Sequence, residues 1–75
     1  MRPERRLHGF IDESVVRQAP CYQPLIEEQV GGEFAATFWV GEPTFDLEDA
    51  EDRLAVVATR HGLRYEGGGE WSHAI

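Results

Sequence analysis

The chain has 75 residues, 41 % of them hydrophobic, with 14 acidic against 7 basic side chains and a net charge of −7. That length allows one domain, residues 1–75, and a modest core, because a chain so short buries only about 60 % of its unfolded surface. Two Trp, four Phe and two Tyr exclude general disorder, and the acidity speaks against direct nucleic-acid binding, which depends on neutralising phosphates with cations.

At the start, MRPERRLHGF is basic, but no apolar stretch of signal-peptide length follows it. No window reaches the roughly 20 apolar residues that span a bilayer. A cytosolic protein that binds no membrane is expected. Leu7 to Ile11 reads as a short strand. Asp12 then caps an expected helix, Glu13 to Ala19, and Pro24 opens a second short one, Leu25 to Val30, closed by Gly31-Gly32. One helix running through both Pro20 and Pro24 would lose two backbone hydrogen bonds, so a break at "APCYQP" is expected. Cys21, the single cysteine, excludes an intramolecular disulfide and suits a reducing compartment.

Glu33 to Val40 reads as a strand with Phe34, Ala36, Phe38 and Val40 on one face and Ala35, Thr37 and Trp39 on the other. Both faces are largely apolar, which predicts neighbours above and below, or Trp39 at an interface. Gly41, Glu42 and Pro43 end it. A helix follows from about Asp46 to His61, since Leu47, Ala50, Leu54, Val57 and Ala58 build one apolar stripe. Thr44 or Asp46 caps its start, Asp46, Glu48 and Asp49 suit the positive end of its dipole, and Gly62 closes it. Leu63 to Glu66 restarts a strand with Leu63 and Tyr65 inward. Gly67-Gly68-Gly69 is a hairpin turn or, preferred, a bulge within one longer strand that continues through Trp71 to Ile75. The predicted fold is therefore α+β: a small ferredoxin-like or split β-α-β sheet with helices on one face, and an N-terminal strand and helix segment over residues 1–32.

No catalytic or metal-binding constellation emerges. His8, His61 and His73 lie in three separate elements without paired spacing, and one cysteine cannot complete a zinc ligand set. Cys21 has no His within ten residues. The triple glycine lacks the Lys-Ser/Thr of a phosphate loop. The run "EPTFDLEDAEDRL", residues 42 to 54, holds six carboxylates, Glu42, Asp46, Glu48, Asp49, Glu51 and Asp52. On a helix they spread over the faces its apolar stripe leaves free, which describes either a solvated helix start or a recognition surface for a basic partner. Trp39 and Trp71 are the candidate aromatic anchors, since aromatics dominate interface hot spots.

The run "DLEDAEDRLAVVATRHGLRYEGGGEW" resembles the C-terminal half of the regulator of ribonuclease activity B family. The likeness covers roughly residues 33 to 73: a helix ending in "LAVVATRHG", then Leu63-Arg64-Tyr65-Glu66-Gly67, further Gly and an aromatic. Proteins of that family are longer, small acidic inhibitors of an endoribonuclease on a ferredoxin-like αβ sandwich. The resemblance implies a protein-binding role with no catalytic residues; no cofactor is expected.

Three functions are open on this reading. The first is a non-enzymatic regulator or inhibitor that binds a protein partner with a basic surface, such as a nuclease, through Glu42, Asp46, Glu48, Asp49, Glu51, Asp52, Trp39 and Trp71. The second is a phage or mobile-element inhibitor that mimics nucleic-acid charge. The third is a dimeric ligand-binding or enzymatic α+β domain with Trp39, Tyr65 and His73 on one sheet face. A homodimer through the sheet is expected from the two-sided apolarity of residues 33 to 40.

Overall fold

Three two-residue turns, each with left-handed φ at both central positions, set the architecture. The structure is a computed structural model and describes residues 4–73. β1 (Arg5–Val16) and β2 (Ala19–Val30) form a long antiparallel hairpin that reverses at Arg17 (φ 52°) and Gln18 (φ 65°). Gly31 and Gly32 (φ 63° and 84°) turn β2 into β3 (Glu33–Trp39). Gly68 and Gly69 (φ 62° and 80°) turn β4 (Leu63–Gly67) into β5 (Glu70–His73). Positive φ at both central residues gives such turns the twist of the strands they join.

The hairpin corrects the expected helices at 13–19 and 25–30, which are strand apart from the Arg17-Gln18 turn. The prolines that suggested a helix break sit in a tolerant phase of the ladder. Val15 lies opposite Pro20 and Ile11 opposite Pro24. Tyr22, in phase with both, turns its N–H and C=O away from β1, to Thr44. In antiparallel pairing that phase repeats every second residue, so the missing N–H of each proline removes no bond to β1.

The five strands lie in the order β3-β2-β1-β5-β4, antiparallel at every contact. By that alternation β3 and β4 run the same way, three strands apart. α1 (Leu47–Arg60) connects them from one edge of the sheet to the other. The fold is thus α+β, an antiparallel sheet with one helix on it. Its order, three strands, a helix and two strands, departs from the βαββαβ order of a ferredoxin-like sandwich.

The helix forms as its sequence dictates. Asp46 caps it, Oδ1 accepting from the N–H of Glu48 (3.0 Å) and Asp49 (3.4 Å). Gly62, at φ 73°, takes the left-handed position just past its end. Ala50, Leu54 and Ala58 are fully buried, and Leu54 and Ala58 form a core with Leu7, Ile26 and Leu63.

Two local expectations change. The triple glycine is a hairpin turn, with a register shift between Tyr65 and Gly67 beside it, and not a bulge in one long strand. In β3, pairing jumps from Ala36 opposite Glu28 to Phe34 opposite Gln29, leaving Ala35 as an extra residue. That bulge moves Phe34 onto the face of Trp39, away from Phe38. The expected extension through Ala74 and Ile75 lies outside the described residues.

Candidate protein-binding surfaces

Side chains alternate across a strand, so the sheet has a helix-covered face and an open one. Leu7 and Ile26 fix the covered face through their place in the core. Register then places Ile11, Tyr22, Tyr65, Trp71 and His73 on that side, and Phe10, Leu25 and Trp39 on the other. The eight expected partner-binding residues are therefore not one site. Trp39 is separated from the acidic helix by the sheet itself.

Within the acid run, the structure sorts local roles from free ones. Asp46 caps the helix. Asp49 pairs with Arg53 at 2.9 Å, one turn on, and Arg53 also donates to the Glu42 carbonyl oxygen at 3.2 Å. Among the described residues, Glu48, Glu51 and Asp52 have no cationic partner within ion-pair distance.

Glu51 and Asp52 border a cleft between α1 and the β4-β5 hairpin. Its volume is about 410 Å³, and Tyr65 and Trp71 form the opposite wall with Ala55 and Leu54 beneath. The two rings meet edge to face, centroids 5.3 Å apart. Tyr65 is held by its hydroxyl, which accepts from the Gly69 N–H at 3.1 Å. A neighbouring cleft of about 540 Å³ shares Glu51, Tyr65 and Gly69 and adds Glu13, Tyr22, Leu47 and Glu70. No basic side chain lines either cleft. Desolvation, and then the adjacent Glu13 carboxylate, hold the Tyr22 phenol above its ordinary pKa.

Glu13, Tyr22 and Glu70 were absent from the candidates. Two of them belong to the segment expected to be helical and broken. Only once β1 and β2 pair does Glu13 come opposite Tyr22.

The open face carries an apolar row. Phe10, Leu25 and Trp39 are directly opposite one another on three adjacent strands. Trp39 is 71 % and Phe34 64 % exposed. His8 stacks on Phe10, centroids 5.4 Å apart, and its Nε2 lies 3.0 Å from a Glu70 carboxylate oxygen. The ligand site imagined around Trp39, Tyr65 and His73 does not assemble, because Trp39 is on the open face and the other two are on the covered one. Among the described residues, no group of three or more His, Cys, Asp or Glu is placed to hold a metal ion, and no helix is long and apolar enough to cross a membrane.

Comparison with protein-family models, curated proteins and solved structures finds no match for this chain.

Proposed function

We propose that this chain is a non-enzymatic, cytosolic binding protein, a regulator or inhibitor that occupies a basic surface on a partner protein. The observation that carries the reading is the pair of adjoining clefts whose rims bear Glu51, Asp52 and Glu13, whose walls are aromatic, and which no basic side chain lines. A guanidinium or ammonium entering there meets carboxylates and ring faces together, the two groups that attract cations most strongly. The net charge of −7 extends the same preference to longer range. Basic grooves of this kind belong to enzymes that handle nucleic acid, and the likeness of residues 33 to 73 to an acidic ribonuclease regulator points to the same class of partner.

Neutralising the rim with Glu51→Gln and Asp52→Asn tests the proposal, read as affinity for an arginine-rich peptide and its dependence on salt. The open face supports a second contact, self-association. Its Phe10-Leu25-Trp39 row is apolar, and beside it His8 lies against Glu70 and Ser72 donates to Glu66. Two such faces can stack along that apolar row, burying Trp39 against its counterpart.

A further inference from the structure

β1 is longer than the strand beside it. β5 pairs with β1 only at His8 and Gly9, and the chain then leaves through the Gly68-Gly69 turn. From Phe10 to Val16, no strand among the described residues pairs with the side of β1 that faces away from β2. The other long strand is treated differently: β2 continues past the end of β3 against the following loop, with Val40 N–H donating to Pro24 O and Tyr22 exchanging two bonds with Thr44.

The phase of the ladder identifies the free groups. Tyr22 and Pro24 direct their backbone groups away from β1, so their partners Glu13 and Ile11 direct theirs away from β2, as does Val15. Those three residues offer alternating N–H and C=O groups to an empty lane that continues the line of β5. Their side chains lie on the helix-covered face, and Val15 is 75 % exposed. The lane opens into the cleft lined by Ile11, Glu13, Leu47, Glu51, Tyr65 and Glu70.

We infer that the β1 edge from Phe10 to Val16 binds an extended segment of a basic partner by strand addition, in the lane that β5 leaves vacant. The inference rests on the proposed basic partner and supplies its mode of binding. Backbone pairing would give affinity, and side chains on alternate residues would give specificity. The added residues opposite Ile11, Glu13 and Val15 place their side chains on the covered face, against Glu13, Glu51 and Tyr65, so arginine or lysine is preferred at every second position. A second copy pairing through the same edge would bring Glu13 towards the equivalent carboxylate, a like-charge contact. The apolar cleft beside Phe38 carries Arg5 and His61 and has no such preference for cations.

A capped heptapeptide alternating arginine and valine is the probe, with two derivatives. In an added strand of this register the arginine N–H groups point at β1 and the valine N–H groups point away. N-methylation of the arginines should therefore weaken binding about tenfold or more, through the lost bonds and the clash, while N-methylation of the valines leaves it largely intact. Val15→Pro removes one outward N–H, in the phase where Pro20 and Pro24 are already tolerated in β2, and should weaken the parent peptide about fivefold. Ile11, Glu13 and Val15 amides should gain protection from hydrogen exchange in the complex. If the two methylated peptides bind alike, or the parent peptide shows no saturable binding, strand addition is overturned. If a glutamate-valine peptide binds as well as the parent, the basic partner fails instead, whatever the methylated peptides show.

Discussion

Gly9 lies directly under Leu54 of the helix: a Cβ on Gly9 would sit 3.1 Å from Cδ1 of Leu54. The same atom would be 3.3 Å from Cβ of Trp71. Leu54 is fully buried and central to the core, so it has little room to yield. Gly9→Ala should destabilise the fold by about 1 kcal/mol, and Gly9→Val by roughly 2–3 kcal/mol. Urea denaturation followed by circular dichroism checks this; an unchanged midpoint for Gly9→Val would show that the helix does not seat as described.

Asp46 and Glu51 belong to one acid run but should respond to substitution by different amounts. Asp46→Ala removes the acceptor for two helix N–H groups and should cost about 1 kcal/mol of stability. Glu51→Gln, exposed and without a cationic partner among the described residues, should change stability by no more than about 0.5 kcal/mol. Thermal unfolding of the two variants side by side separates capping from surface charge.

The Arg17-Gln18 turn holds two ordinary residues at positive φ, a conformation that costs roughly 1–2 kcal/mol each outside glycine and asparagine. Replacing them with Asn-Gly should stabilise the protein by about 1 kcal/mol or more. A lower unfolding midpoint for this variant would contradict the hairpin geometry.

Trp39 anchors the open face, 71 % exposed beside Leu25. If two copies associate there, Trp39→Asp should convert a dimer into a monomer in sedimentation at micromolar concentration while the circular dichroism stays unchanged. A wild-type monomer under those conditions would remove self-association from the account.

What could be read from the sequence follows from where the physical signals are local. The helix from Leu47 to Arg60 combines an Asp46 cap, a stripe through Ala50, Leu54 and Ala58 and a left-handed Gly62, all within one stretch of chain. β1 and β2 offered no such agreement. Arg17-Gln18 lacks the Asn or Gly that marks a hairpin turn, and Asp12 before Glu13 imitates a helix cap. Pro20 and Pro24 look like breakers until the register shows that their missing donors face away from β1. The clefts were half legible for the same reason. Glu51 and Asp52 lie in a helix read correctly and Trp71 in a stretch read as extended, though as part of one bulged strand, whereas Glu13 and Tyr22 join them only through long-range pairing. The shared face of Phe34 and Trp39 depends on the single extra residue Ala35, which period-two alternation cannot anticipate.

The most direct measurement is a titration of the arginine-valine peptide, read by Trp71 fluorescence in a Trp39→Phe background, at low and at physiological salt. Wild-type clefts should bind it more weakly as salt rises, and the Glu51→Gln/Asp52→Asn protein should bind it roughly 2- to 30-fold more weakly at low salt, with a flatter salt dependence. Equal affinity for the two proteins at both salt concentrations would contradict the claim that these carboxylates receive a basic partner.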